Sequence, residues 1–302
     1  MIESMMPTIR ILKDTCAKMV MVVLTIFSIM IVFLIALGLY LRAKPILVMY
    51  PLIKLVGGTS WHPLKGEFGF YPFIIGTLWV TGVALIIAIP FCLLTSIYLS
   101  EYAHERIRRW TGPLIDVLAG IPSVVYGMWG VLVIVPLIKK YIAPFCGVFT
   151  TGYSVLAGGI VLAIMIFPII IHVSVEVMRS VPYEMRTASL ALGATKWQTV
   201  KHVVIRKAMP GIIAAIVLGI SRAFGETMAV LMVVGNVARI PSSVFDPAYP
   251  LPALIANNYG EMLSVPLYDS ALLLASLILL FVVLFFTMIS RIILIHIERR
   301  IQ

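Results

Sequence analysis

EVMRSVPYEMRTASLALGATKWQTVKHVVIRKAMP, residues Glu176 to Pro210, is the one long polar segment on the basic side of an otherwise apolar chain. Its residues spell two short helices joined at a hinge. Ser180 is placed to cap the first, which has Pro182 near its start and runs through Tyr183, Glu184, Met185 and Arg186 to Leu192. Gly193 then supplies the stop, because a helix end needs a left-handed residue that only glycine adopts freely. Thr195 and Gln198 have the spacing of a capping box for a second helix, Lys196 to Ala208. A compact, capped elbow held outside a bilayer suits a docking surface for a cytoplasmic partner.

Around this elbow the 302 residues are 61% hydrophobic and 12% charged, with a mean hydropathy of +1.08. Such a chain has too little polar surface to dissolve as a globule and reads as an integral membrane protein. Six apolar runs reach the roughly 20 residues a bilayer crossing requires. They are Met19 to Leu41, Phe73 to Leu99, Leu114 to Ile138, Tyr153 to Val175, Gly211 to Ala238 and Ala271 to Ile295. The expected fold is all-α, a six-helix bundle over 19–295 with tails at 1–18 and 296–302 and the elbow at 176–210. The first run is longer than a typical signal-peptide core and ends in Leu-Tyr-Leu-Arg without a small-residue cleavage site, so it is expected to remain.

The net charge of +10 raises the question of nucleic acid, and the positions of the 23 Lys and Arg answer it. With both termini inside, 15 fall on the inner side and 7 on the outer, while Arg222 lies within a span. That bias orients a membrane protein and gives no support for nucleic-acid binding. Cys16, Cys92 and Cys146 fall inside, within a span and outside, without metal-ligand spacing, so neither a bridge nor a zinc site is expected.

Trp61, Tyr71, Tyr249, Tyr259 and Tyr268 lie in or beside two long outer segments, 42–72 and 239–270. They read as an interfacial aromatic belt, with a platform for an external partner as the alternative. The cluster Ala119-Gly-Ile-Pro-Ser-Val-Val-Tyr-Gly-Met-Trp-Gly130 has two readings. Close helix packing explains its glycines, and a transport path explains its hydroxyls, with Ser123 and Tyr126 among the lining residues.

Arg222 and Glu226, in Ser221-Arg-Ala-Phe-Gly-Glu-Thr227, are charges in the middle of the fifth run. A charge at the bilayer centre costs about 2.5–3.5 kcal/mol on insertion scales, so protein or water must surround it. Spaced i, i+4 on one helix they would share a face and compensate each other. A structural salt bridge and a pathway are the two readings, and on the second Arg222, Glu226 and Thr227 line the route. Gly211, Ala215, Gly219 and Ala223 form a small-residue stripe about 100° around the same helix, which admits a close neighbour. A guanidinium fork in a path suits an oxyanion such as phosphate or sulfate. Asp116 and His172 read as solvated or capping groups.

These residues resemble the membrane permeases of ABC importers, and within them the phosphate permeases of the PstC type. The elbow is similar to the family's cytoplasmic loop, a Glu-Ala-Ala, three residues, Gly, nine residues, then Ile-x-Leu-Pro. Here the positions read Thr187-Ala188-Ser189, Gly193 and Val203-Val204-Ile205-Arg206, followed by Pro210. Thr187 for glutamate and Arg206 for proline are departures. Gly76-Thr-Leu-Trp-Val-Thr81, Ile97-Tyr-Leu-Ser-Glu-Tyr102, Ala119 to Gly130 and Arg222 to Val230 resemble the phosphate type's signatures in order. The resemblance implies a type I importer: this chain beside a related PstA-like permease, two ATPase subunits below and a phosphate-binding protein outside. It also implies that Tyr183, Glu184, Arg186, Thr187, Ala188, Ser189, Gly193 and Ala194 belong to the ATPase-coupling contact.

The sequence has no Gly-x-x-x-x-Gly-Lys-Ser/Thr loop, so the chain is not expected to act as the ATPase; ATP and magnesium belong to partner subunits, and this chain is expected to bind no cofactor. The rival readings are a PstA-type permease, a sulfate or molybdate permease, and a secondary anion transporter. The last usually shows two repeated halves, and no such pair is present here.

Overall fold

The computed structural model describes residues 5–261 and 265–301. Among them are six helices long and apolar enough to cross a membrane. They are the first span Asp14–Met49, the second Tyr71–Tyr102, the third Ser123–Phe145, the fourth Val155–Arg179, the fifth Lys196–Gly225 and the last Tyr268–Ile292. The six expected runs are all present with shifted bounds, and at the third and the fifth the run itself is divided.

The fourth span is the most enclosed, packed on the second and the fifth. Small residues make the contact close. A methyl group at Gly159 would strike Val83, one at Gly211 Val177 and one at Gly219 Ile170. Ala215 and Ala223 of the expected stripe are buried with them, so the fifth span packs on the fourth through that face. The first span meets the last only near its C-terminal end, through Ala43 and Ile46, and its long apolar stretch is otherwise uncovered in the single chain.

The third span departs from the expected Leu114 to Ile138. Leu114 belongs instead to a separate helix, Glu105–Gly120, and the chain breaks at Ile121–Pro122 before Ser123 restarts it. Pro122 has no amide hydrogen, and its own extended backbone begins a new helix axis. Further along, wide turns from the Val135 N–H to the Gly130 carbonyl and from Ala143 to Ile138 interrupt the regular ladder around Pro136 and Pro144.

The fifth run also divides. Its helix ends at Gly225, Glu226 is extended, and a second short helix, Met228–Val233, takes a new direction. Redirection lets Ala229, Val230 and Val233 be buried against the third and fourth spans, a gain that a straight helix would forgo. Beyond it Gly235, with φ of 92°, turns the chain back to lie along Ser154 to Leu156, so no span continues to Ala238.

On the side away from the elbow a folded cap covers the second and last spans. A two-residue hairpin pairs Trp61 with Phe68, and Trp61 packs edge-on against Phe68 and Phe73 at 5.7 and 5.1 Å between ring centres. Tyr249 and Tyr268 are buried in the same cluster, so these three aromatics are cap core, while Tyr71 and Tyr259 keep the exposure of a belt. Burial pushes the Tyr249 phenol above its ordinary range, against the pull of the Asn257 and Asn258 amides that donate to its oxygen.

Candidate functional site

Arg222 stands one turn beyond Gly219, whose neighbour Ile170 lies in the elbow-side half of the fourth span; this puts the guanidinium near mid-depth. Two faces of the helix around it are committed elsewhere, one to the fourth span and one to the last. Ala215, Gly219 and Ala223 meet the fourth span, Ser221 lies 3.4 Å from Thr287 of the last span, and Phe224 stacks on Phe286 at 4.8 Å. Arg222 is left on the open face, exposed, within electrostatic reach of Tyr126 and with no hydrogen bond or ion pair among the described residues.

The expected pairing with Glu226 does not form. The helix stops before Glu226, so the i, i+4 relation has no counterpart in space. The Glu226 carboxylate instead accepts from the Thr227 and Ala229 amides at 3.1 and 3.4 Å and caps the short helix. A negative group at a helix N-terminus is favourable, so Glu226 is already satisfied without Arg222. Thr227 closes the break by donating its hydroxyl to the Gly225 carbonyl at 3.2 Å.

The broken third span lies alongside. Ser123 is its first residue and half-buried, while Tyr126 is buried with its hydroxyl donating to the Leu118 carbonyl at 2.8 Å, which pins the Glu105–Gly120 helix. Gly127 sits against Met232 and Ala229, and Gly130 against Val161 and Val233, so those glycines serve close packing. Val125 and Met128 of the same helix are exposed apolar groups. Asp116 and His172, 3.9 Å apart and both exposed, lie on the Glu105–Gly120 helix and the fourth span.

The elbow forms as two arms, with two corrections. Its first helix is Tyr183–Ala191, and Ser180 is not its cap: that residue ends the fourth span and donates its hydroxyl to the Val177 carbonyl. The second arm does not stop at Ala208. It runs from Lys196 through a wide turn at Val200–Val204 and past Pro210 into the fifth span, so the arm is the span's own end. Arg206 where the family pattern has proline leaves that backbone unbroken. Between the arms Gly193, with φ of 84°, makes the expected stop: its amide donates to the Leu190 carbonyl and that of Ala194 to Ser189. The Thr195–Gln198 capping box is complete at 3.3 and 2.8 Å.

Tyr183, Glu184, Thr187 and Ala188 are exposed along the first arm, as are Leu190, Leu192 and Trp197, while Ser189 turns inward to the Thr199 hydroxyl at 3.0 Å. Thr187 bonds back to the Glu184 carbonyl at 3.0 Å, so the departure from glutamate leaves an uncharged, self-satisfied position. Arg186 points inward and meets Glu101, a residue that spacing could not reveal because 85 positions separate the two.

A bundle of six spans, with the chain broken just before the third and just after the fifth and a helical elbow on one side, is the fold of a type I ABC importer permease. The bacterial alginate ABC transporter in complex with an alginate pentasaccharide-bound periplasmic protein shares it with a TM-score of 0.57 at 15% identity, over 91% of this chain and 94% of that one. The inward-facing MetNI methionine ABC transporter does so at 0.57 and 18%, over 74% and 93%. Residues 88–302 match the family described as binding-protein-dependent transport system inner membrane component, and the chain belongs to that family. Among its relatives is the phosphate transport system permease protein PstC of Xylella fastidiosa, 37% identical over 80% of this chain and 78% of that protein. The probable ABC transporter permease protein YqgH of Bacillus subtilis is 39% identical over 77% and 76%. The probable phosphate transport system permease protein PstC of Methanocaldococcus jannaschii is 32% identical over 84% and 85%.

Proposed function

We propose that this chain is the membrane subunit of an ATP-driven importer and carries inorganic phosphate across the cytoplasmic membrane by alternating access. Arg222 carries the reading: it is an exposed guanidinium at mid-depth without a partner among the described residues, in a chain whose relatives include proteins named as phosphate transport permeases. Facing lipid, such a group is costly; facing a wet seam between two bundles, it supplies a planar fork for an oxyanion. A related, PstA-like permease closes that seam, with Ser123 and Thr227 beside the route and Tyr126 bracing it. Two ATPase subunits, which hold the ATP and magnesium, seat on the exposed apolar groups of the elbow. An external phosphate-binding protein delivers the anion to the far side. The excess of basic residues on the elbow side makes that side cytoplasmic, with both termini.

The complete complex, reconstituted in vesicles with ATP inside the lumen that corresponds to the cytoplasm, tests this. ATP-dependent phosphate uptake that excess sulfate does not compete away is expected, and Arg222→Ala is expected to abolish it. Normal uptake by Arg222→Ala, or uptake without nucleotide, rejects the proposal.

A further inference from the structure

The elbow is tied to the bundle by a buried ion pair that docking itself does not require. Arg186 and Glu101 keep only 16% and 9% of their side chains exposed. Their contact is two-pronged, with Nη2 donating to one carboxylate oxygen at 2.9 Å and Nε to the other at 3.4 Å. The same guanidinium donates to the Met178 carbonyl at 2.8 Å and to that of Val181. One side chain on the elbow therefore grips the end of the second span, the end of the fourth and the link between fourth span and elbow.

Other contacts converge on the same junction. Ser100 donates to the Met178 sulfur at 3.3 Å, the Lys196 ammonium lies 4.6 Å from the centre of the Tyr102 ring, and the Ser189 and Thr199 hydroxyls join the two arms. A buried ion pair is a poor source of stability compared with apolar packing, but a planar fork fixes orientation as packing does not.

We propose that Arg186 and Glu101 form a latch that makes the elbow and the ends of the second and fourth spans one rigid lever. Both are positioning residues. A push on the elbow then reaches the second and fourth spans directly, instead of being absorbed by rotation in the link at 180–182. The inference rests on the reading of the elbow as the ATPase dock and adds the element that transmits its movement.

The test uses the full importer in vesicles and reads inorganic phosphate taken up per ATP hydrolysed. Arg186→Ala is expected to lower that ratio roughly ten-fold with the ATPase still co-purifying, and Arg186→Ala with Glu101→Ala to lower it no further. Arg186→Lys, which keeps the charge but has no fork, is expected to fall between. An unchanged ratio in Arg186→Ala, or losses that multiply in the double variant, overturns the latch. If Arg186→Ala fails to assemble, Arg186→Lys and Glu101→Gln carry the test, and an unchanged ratio in both overturns it. Leu192→Asp, at a tip position 90% exposed, separates the two ideas. If it retains the ATPase, the docking reading fails and the latch with it; if it loses the ATPase while Arg186→Ala keeps its ratio, the latch alone fails.

Discussion

Glu226 shows how one carboxylate changes meaning with its backbone. Counted along a helix it answers Arg222; in space it serves the amides of Thr227 and Ala229 at the start of Met228–Val233. Glu226→Ala removes that cap, which costs about 0.5–2 kcal/mol. The resulting fall in melting temperature in detergent should be a few degrees, at about 2–4 °C per kcal/mol for a chain of this order of size. Glu226→Gln retains an oxygen acceptor, so its melting temperature should fall less. Equal falls would mean that the negative charge, answered by Arg222, matters more than the hydrogen bonds.

The elbow was legible because each of its signals is local. Gly193 and the Thr195–Gln198 box act through groups within a few residues, and chemistry at that range survives any tertiary context. Gly193→Ala forces a Cβ into the left-handed region at a cost of about 1–2 kcal/mol. Hydrogen exchange should then accelerate at the amides of residues 193 and 194, which close the turn. Thr195→Ala should do the same at Gln198 while leaving those two amides slow. Uniform acceleration across both arms would show that the elbow melts as a unit. Ser180 misled for an equally local reason: the fourth span runs on to Arg179, and Ser180 caps its end from behind.

Across the whole molecule the open face defines what the chain lacks. Arg222, Val125 and Met128 are all exposed in the single chain, and a membrane protein keeps such an arginine only beside water or another protein. In a variant without Cys16, Cys92 and Cys146, Met128→Cys should react with a lipid-soluble maleimide in the isolated chain and be shielded in the assembled importer. Equal labelling in both states would place the second permease on some other face.

Hydropathy alone was enough to establish a six-span helical membrane protein, because burying roughly 20 apolar residues per crossing is a one-dimensional requirement. The Gly193 stop and the Thr195–Gln198 capping box were similarly readable along the chain. The break at Glu226–Thr227 was not, nor was the Arg186–Glu101 pair. An unbroken helix satisfies the same composition there, and that break exists because Ala229, Val230 and Val233 gain burial against spans distant in sequence. Partners 85 residues apart, and an exposed guanidinium without a hydrogen bond or ion pair among the described residues, are consequences of packing in three dimensions.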